Sequence, residues 1–252
     1  MRSVHDIVVN LVAAALAFVF GRFYDRLRAL WRFRSVRAFW KPFVTDDLKV
    51  VTSIFIQEEH YIWERSGLVG VGDVMALNEL RQQLQRASVE SLPLTSSHQL
   101  TGMERRGNLI LVGGPHSNQV TAEVMQRLPL TFRFGSVDVH DANIYDASTG
   151  EVMRCAVDGR DQLLVDQGIV IRAVNPFNPA RRVVILAGSF GFGTSAAAQL
   201  LALPDLLGHP LVAADQAFEA TFSVEIAGGT PQRIELRTVR GLDSRLLPAG
   251  AG

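Results

Sequence analysis

Three times along this chain a run of β-branched and leucine residues leads into a glycine-containing turn, and a helical period follows. The turns are Gly70–Asp73, Gly113–Asn118 and Gly188–Thr194. Before the first lies Leu48–Ile56 (LKVVTSIFI), rich in β-branched residues; after it Val74, Leu77, Leu80 and Leu84 repeat at helical spacing, predicting a helix over Asp73–Leu84. Asn108–Val112 (NLILV) enters the second turn, GGPHSN, and a helix over Val120–Leu128. Arg182–Ala187 (RVVILA) enters the third, GSFGFGT, and a helix over Ser195–Leu203. A further strand, Ile169–Val174, leads to Asn175-Pro-Phe-Asn-Pro179, where the prolines stiffen a connection and the asparagines supply turn hydrogen bonds. Asp166, just before that strand, reads as another turn residue.

Apolar runs without alternation suit strands covered on both faces, and strand–turn–helix in regular succession predicts right-handed parallel crossovers. The expected fold is therefore α/β: a Rossmann-like, mostly parallel sheet flanked by helices. The end of the chain departs from this pattern. Phe218–Ile226 and Arg233–Val239 flank Gly228-Gly229-Thr230-Pro231, a hairpin signal expected to cap one sheet edge. A chain of 252 residues can bury one substantial core, and Pro42 marks the expected start of the domain, residues 42–252.

The N-terminus is of another kind. Ile7–Gly21 (IVVNLVAAALAFVFG) is apolar except for Asn10 and as a helix reaches roughly 22 Å, short of the ~30 Å hydrocarbon core. Continuation through Phe23, Tyr24 and Leu27 with snorkelling arginines supplies the rest. Arg22, Arg26, Arg28, Arg32, Arg34, Arg37 and Lys41 follow, against Asp25 alone. A membrane anchor over residues 1–21 accounts for both features, because Lys and Arg accumulate on the cytoplasmic side of a span. A buried core helix fits the length but leaves the basic block unexplained. Residues 22–41 then read as a basic juxtamembrane helix on an anionic leaflet, with an apolar side running from Leu27 through Trp40. The expected location is the inner membrane, single-pass, with the C-terminal domain cytoplasmic.

Net charge is zero and the basic signal does not extend into the main domain, so nucleic acid is not an expected partner. The single cysteine, Cys155, excludes an internal disulfide and has no neighbouring histidine to activate it. The histidines are scattered, without metal-ligand spacing, and no Lys-Ser or Lys-Thr follows a glycine loop as a P-loop requires. No obligatory cofactor is implied; a nucleotide is the expected ligand, and homo-oligomerisation is left open.

Ligands of open α/β sheets bind outside the carboxyl ends of the strands, where all three turns should fall. Glycine lets backbone N–H groups approach an anion at a helix N-terminus. The candidate binding residues are Gly72, Asp73, Gly113, Gly114, His116, Asn118, Gly188, Ser189, Gly191, Gly193 and Thr194. Asp73 can cap its helix or hold ribose hydroxyls; Asn118 can cap or bind a ligand; His116 can act as base, phosphate partner or plain loop residue. Glu58 and Glu59, after the first strand, join Asp73 as candidate catalytic carboxylates.

GVGDVMALNEL, NLILVGGPHSNQVTAEV and VIRAVNPFNPARRVVILAGSFGFGTSAAAQLL together resemble a bacterial group of Rossmann-like domains with GGPxxN, NPFNP and AGxxGxGTxAA segments. The GGPxxN turn also resembles Rossmann-like repeats of archaeal surface-layer proteins. The resemblance spans roughly residues 48–203 and marks Gly113, Gly114, Asn118, Gly188, Gly193 and Thr194; it implies a fold and no settled activity. Three functions are expected in order: a membrane-tethered sensor or effector module binding a nucleotide or nucleotide-derived ligand, a nucleotide-directed glycohydrolase or phosphohydrolase, and a non-catalytic membrane scaffold.

Overall fold

The computed structural model describes residues 33–55, 63, 65–136 and 141–243. Residues 1–32, with the expected anchor, and 56–62, with Glu58 and Glu59, lie outside the described residues. Among the described residues no helix is long and apolar enough to cross a membrane.

The chain is an α/β protein around one mixed sheet. Strands β1 (Lys49–Thr52), β2 (Leu94–Ser96), β3 (Leu109–Val112), β7 (Ala156–Val157), β8 (Leu163–Asn175), β9 (Asn178–Gly188), β10 (Phe218–Ala227) and β11 (Thr230–Gly241) form it, in the order β2-β1-β3-β9-β8-β10-β11, with β7 beside β8. From β2 to β9 neighbouring strands run parallel. Beyond β9 they are antiparallel, ending in the expected C-terminal hairpin β10–β11. Helices α1 (Arg34–Trp40), α2 (Val71–Arg86), α3 (Gln119–Arg127), α4 (Gly191–Leu200), α5 (Pro204–Leu207) and α6 (Pro210–Ala213) cover the faces. Each helix after a glycine turn starts earlier than its apolar period suggests. Gly191, Gly193 and Thr194 thus belong to α4 itself.

Alternation along the central strands divides the core in two. Val50, Ile110, Val184 and Val170 face a cluster with α1, α2 and α4, while Val51, Leu111, Ile185 and Ile171 face α3. A small antiparallel sheet of β4 (Phe132–Phe134), β5 (Ile144–Asp146) and β6 (Val152–Met153) joins the α3 side. It is fastened to the main sheet by buried Glu219 of β10, which accepts from the backbone N–H groups of Thr131 at 2.9 Å and Phe132 at 3.2 Å. Arg240 of β11 pairs with Asp146 of β5 at 2.6 Å, holding that carboxyl well below the usual range.

At Asn175-Pro-Phe-Asn-Pro179 the stiff connection is a tight turn: β8 passes directly into β9 as an antiparallel hairpin with Asn175 opposite Asn178. Two intervening residues cannot make a parallel connection, which needs a dozen or more. The asparagines serve structure: Asn175 Nδ2 donates to the carbonyls of Arg105 (2.8 Å) and Gly107 (2.7 Å), and Asn178 Nδ2 to that of Arg106 (2.8 Å). One expectation is corrected at Asp166, which is no turn residue; it lies inside β8, fully buried.

A second correction concerns the basic helix. Over Arg34–Trp40 the apolar side expected on lipid is packed into the protein: Val36, Phe39 and Trp40 are buried, as is Phe43 beyond Pro42. Trp40 Nε1 donates to Gln83 Oε1 of α2 (3.0 Å), and Gln83 Nε2 donates to the Ala198 carbonyl of α4 (2.8 Å). Burying each of these aromatic rings contributes roughly 2–3 kcal/mol. Pro42 is therefore not a packing boundary.

Candidate functional site

The carboxyl ends of β1, β3 and β9 lie side by side, and the three glycine turns that follow them meet around one crevice of about 670 Å³. Of the candidate residues Gly72, Asp73, Gly114, His116, Gly188, Ser189, Gly191 and Thr194 line it. Gly113, Asn118 and Gly193 do not; they sit behind it.

Backbone geometry explains two of the glycines. A Cβ on Gly72 would fall inside the carbonyl of Gly191, where the first turns of α2 and α4 touch. Gly113 has φ +101°, in the left-handed region, which lets the chain leave β3 sharply.

Asn118 is buried and its hydrogen-bonding capacity is used within the fold. Its Oδ1 caps α3 by accepting from Val120 N (3.1 Å) and Thr121 N (3.2 Å). Its Nδ2 donates to the carbonyls of Val51 (3.2 Å) and Val112 (3.0 Å), tying β1 to β3. Of its two open uses, capping is the one realised. Replacing it with alanine is expected to cost about 2–3 kcal/mol, since the cap is lost and buried carbonyls are orphaned. Urea unfolding should show a lower midpoint at unchanged slope.

The third turn is organised by Asp166, which sequence reasoning did not place here. Its carboxylate accepts from the backbone N–H groups of Gly193 (2.5 Å), Phe190 (3.1 Å) and Gln167 (2.8 Å). Thr194 Oγ accepts from Gly188 N (3.1 Å), closing the turn. An internal carboxylate thus occupies the N-terminus of α4, where an anion was expected, and Asn118 occupies that of α3. Burial pushes the Asp166 carboxyl up to about 6 against those hydrogen bonds. Cys155 Sγ lies 3.7 Å from Asp166 Oδ1, and burial followed by that carboxylate pushes the thiol up to about 11. This is the opposite of an activated nucleophile.

Asp73 is the third residue of α2, not its cap; Gly70 is the cap residue. The Asp73 carboxyl is buried, accepts from Ser53 Oγ at the end of β1, and is raised in pKa by burial. His116 is exposed at the rim, edge-on to Phe134 with centroids 6.3 Å apart. Phe55, Phe190 and Phe192 also line the crevice, as do Val157, Asp161 and Leu163 from the β7–β8 segment, which no sequence motif announced. Phe55, Val71, Val157 and Phe190 are exposed apolar residues at its mouth. Among the described lining residues none is Lys or Arg. The arrangement suits a ligand with a flat apolar part and hydroxyl donors better than a polyphosphate. Among the described residues no group of His, Cys, Asp and Glu is arranged to hold a metal ion.

No protein-family model and no curated protein matches the chain.

Proposed function

We propose that this crevice binds a nucleoside or nucleotide-derived small molecule, its base among Phe55, Phe190 and Phe192 and its hydroxyls on Asp73, any phosphates turned outward. On this reading the protein is a Rossmann-like sensor or effector module, tethered to the inner membrane by residues 7–21 with its domain in the cytoplasm. The observation that carries it is the convergence of three turns on one crevice that pairs a buried carboxylate with an apolar, partly exposed rim. Calorimetric titration of the detergent-extracted full chain with adenosine, guanosine, uridine, ATP and NAD tests it. Nucleosides should bind at least as well as their phosphorylated forms, and Asp73→Asn should weaken binding by about ten- to a hundredfold, as expected for hydrogen bonds to a charged acceptor. Absence of heat across the panel with folded protein overturns the proposal.

A second reading, a nucleotide-directed hydrolase, is favoured by burial of the Asp73 carboxyl in the crevice, which raises its pKa in the direction that suits a general acid. Chromatography of the same mixtures for free base or phosphate decides between them. Turnover that survives Asp73→Asn counts against this acid.

A further inference from the structure

A second cavity, of about 410 Å³, lies away from the crevice, under α1. Arg34, Ser35, Ala38, Phe39 and Lys41 line it from one side, Arg172 and Asp215 from the other. Arg172 stands on the α1 face of β8, four residues further along the strand than Gly168, which pairs with Gly188 at the crevice. At about 3.3 Å per residue the two sites are roughly 13 Å apart along the sheet.

Arg172 is an unusual residue to find there. Its side chain is 2 % exposed, in the centre of the sheet, and its guanidinium carbon lies 4.8 Å from the Phe39 ring centroid. One nitrogen, Nη2, pairs with Asp215, while Nε and Nη1 are buried without a hydrogen-bond partner. Asp215 is shared, for Arg182 Nη2 also reaches it at 2.8 Å. Asp215 holds φ +60°, a left-handed conformation uncommon outside glycine, to present its carboxylate to both arginines. One carboxylate therefore faces two guanidinium groups, and Lys41 makes no ion pair with a described residue. Burial, then repulsion from Arg182, lowers the Arg172 pKa to about 10. A buried cation with unused donors is costly unless a further anion completes it.

We propose that this cavity is a binding site for a phosphate group, with Arg172 as its buried anchor and Lys41 and Arg34 at its entrance. Phosphate chemistry fits the donor set: a planar guanidinium with two unpartnered nitrogens buried in the wall, and a lysine and the Ser35 hydroxyl around the opening. The source is either a free phosphate metabolite or the headgroup of an anionic phospholipid. The latter fits the position of Arg34 directly after the apolar and basic segment of residues 7–32. Here Arg34 and Lys41 would contribute to a defined headgroup site and not only to a diffuse field.

The test uses the full chain in a zwitterionic detergent, titrated by calorimetry with inorganic phosphate, glycerol 1-phosphate and monomeric dihexanoyl-phosphatidylglycerol, in matched chloride. The expected result is saturable binding of at least one probe. Preference for the diester assigns the lipid source; preference for inorganic phosphate or the monoester assigns the metabolite. Ala38→Trp, on the exposed side of α1, should fill the cavity, and Lys41→Glu should reverse charge at its entrance. Each should weaken binding on the order of tenfold or more while nucleoside binding at the other crevice is unchanged. The proposal fails if no probe saturates, or if binding persists undiminished in folded Ala38→Trp and Lys41→Glu proteins.

Discussion

Replacing Asp166 with alanine is expected to unfold the third turn and remove about 3 kcal/mol or more of stability. The carboxylate accepts from three backbone N–H groups, at Gln167, Phe190 and Gly193, and the residue is fully buried. Alanine leaves those donors with neither water nor partner, and hydrogen bonds to a charged group are worth about 1.5–3 kcal/mol each. Release of a buried charge offsets part of the loss, so the net is smaller than the sum. Against a total stability of roughly 5–15 kcal/mol the change should be visible as a large drop in urea midpoint and in soluble yield.

Asp166→Asn separates the charge from the shape, and its signature is a pH dependence. The folded-state pKa of about 6 exceeds that of free aspartate, so between about pH 4 and 6 the folded protein holds a proton that the unfolded chain has released. The contribution of this group is thus greatest below that window and declines as pH rises through it, by about 3 kcal/mol, then levels off. Asp73, raised by burial, acts in the same sense, while Asp146, lowered chiefly by Arg240, and Asp47, lowered by hydrogen bonds from Thr45 and then Arg181, act in the other. Only the difference between wild type and Asp166→Asn isolates the residue. Unfolding free energies measured from pH 4 to 7.5 should converge on the variant's curve with a slope that the variant lacks. Parallel curves would sink this account.

The second large effect is expected at Gly72. A methyl group there has no room, because its position is taken by the Gly191 carbonyl across the α2–α4 contact. Helix backbones cannot yield as a flexible side chain does, so Gly72→Ala should force the two N-termini apart, costing about 1–3 kcal/mol or more. Those same first turns line the crevice, so ligand affinity should fall together with stability. Gly102→Ala is the control: nothing lies within 4 Å of its Cβ position and its φ is not left-handed. It should be neutral or slightly stabilising, within about 1 kcal/mol. Equal thermal midpoints for Gly72→Ala and Gly102→Ala would contradict the packing argument.

Much of this was legible in the chain itself. The apolar runs of Leu109–Val112 and Val183–Ala187 name strands buried on both faces, since short Val- and Ile-containing runs that end in a glycine turn suit a fully covered strand. The glycine turns name the edge where a crevice forms, because strands that run parallel end side by side. The hairpin of β10 and β11 is announced by Gly228-Gly229, both at positive φ. Each of these signals is local: period, turn chemistry and strand composition act over a few residues.

What only the tertiary structure decided is the use of each polar side chain. Asn118, Thr194 and Asp73 are equally plausible as ligand groups or caps from their spacing. They separate once it is clear that Asn118 spends its capacity on Val51, Val112 and α3, while Asp73 lines the crevice with Ser53 as partner. Asp166 organises the third turn from 27 residues away from Gly193, in a strand that pairs beside it. Arg172 acquires its meaning from Phe39 and Asp215, which come from separate segments on either side of it in sequence. Burial and hydrogen-bond satisfaction are properties of the folded neighbourhood, and no window of sequence carries them.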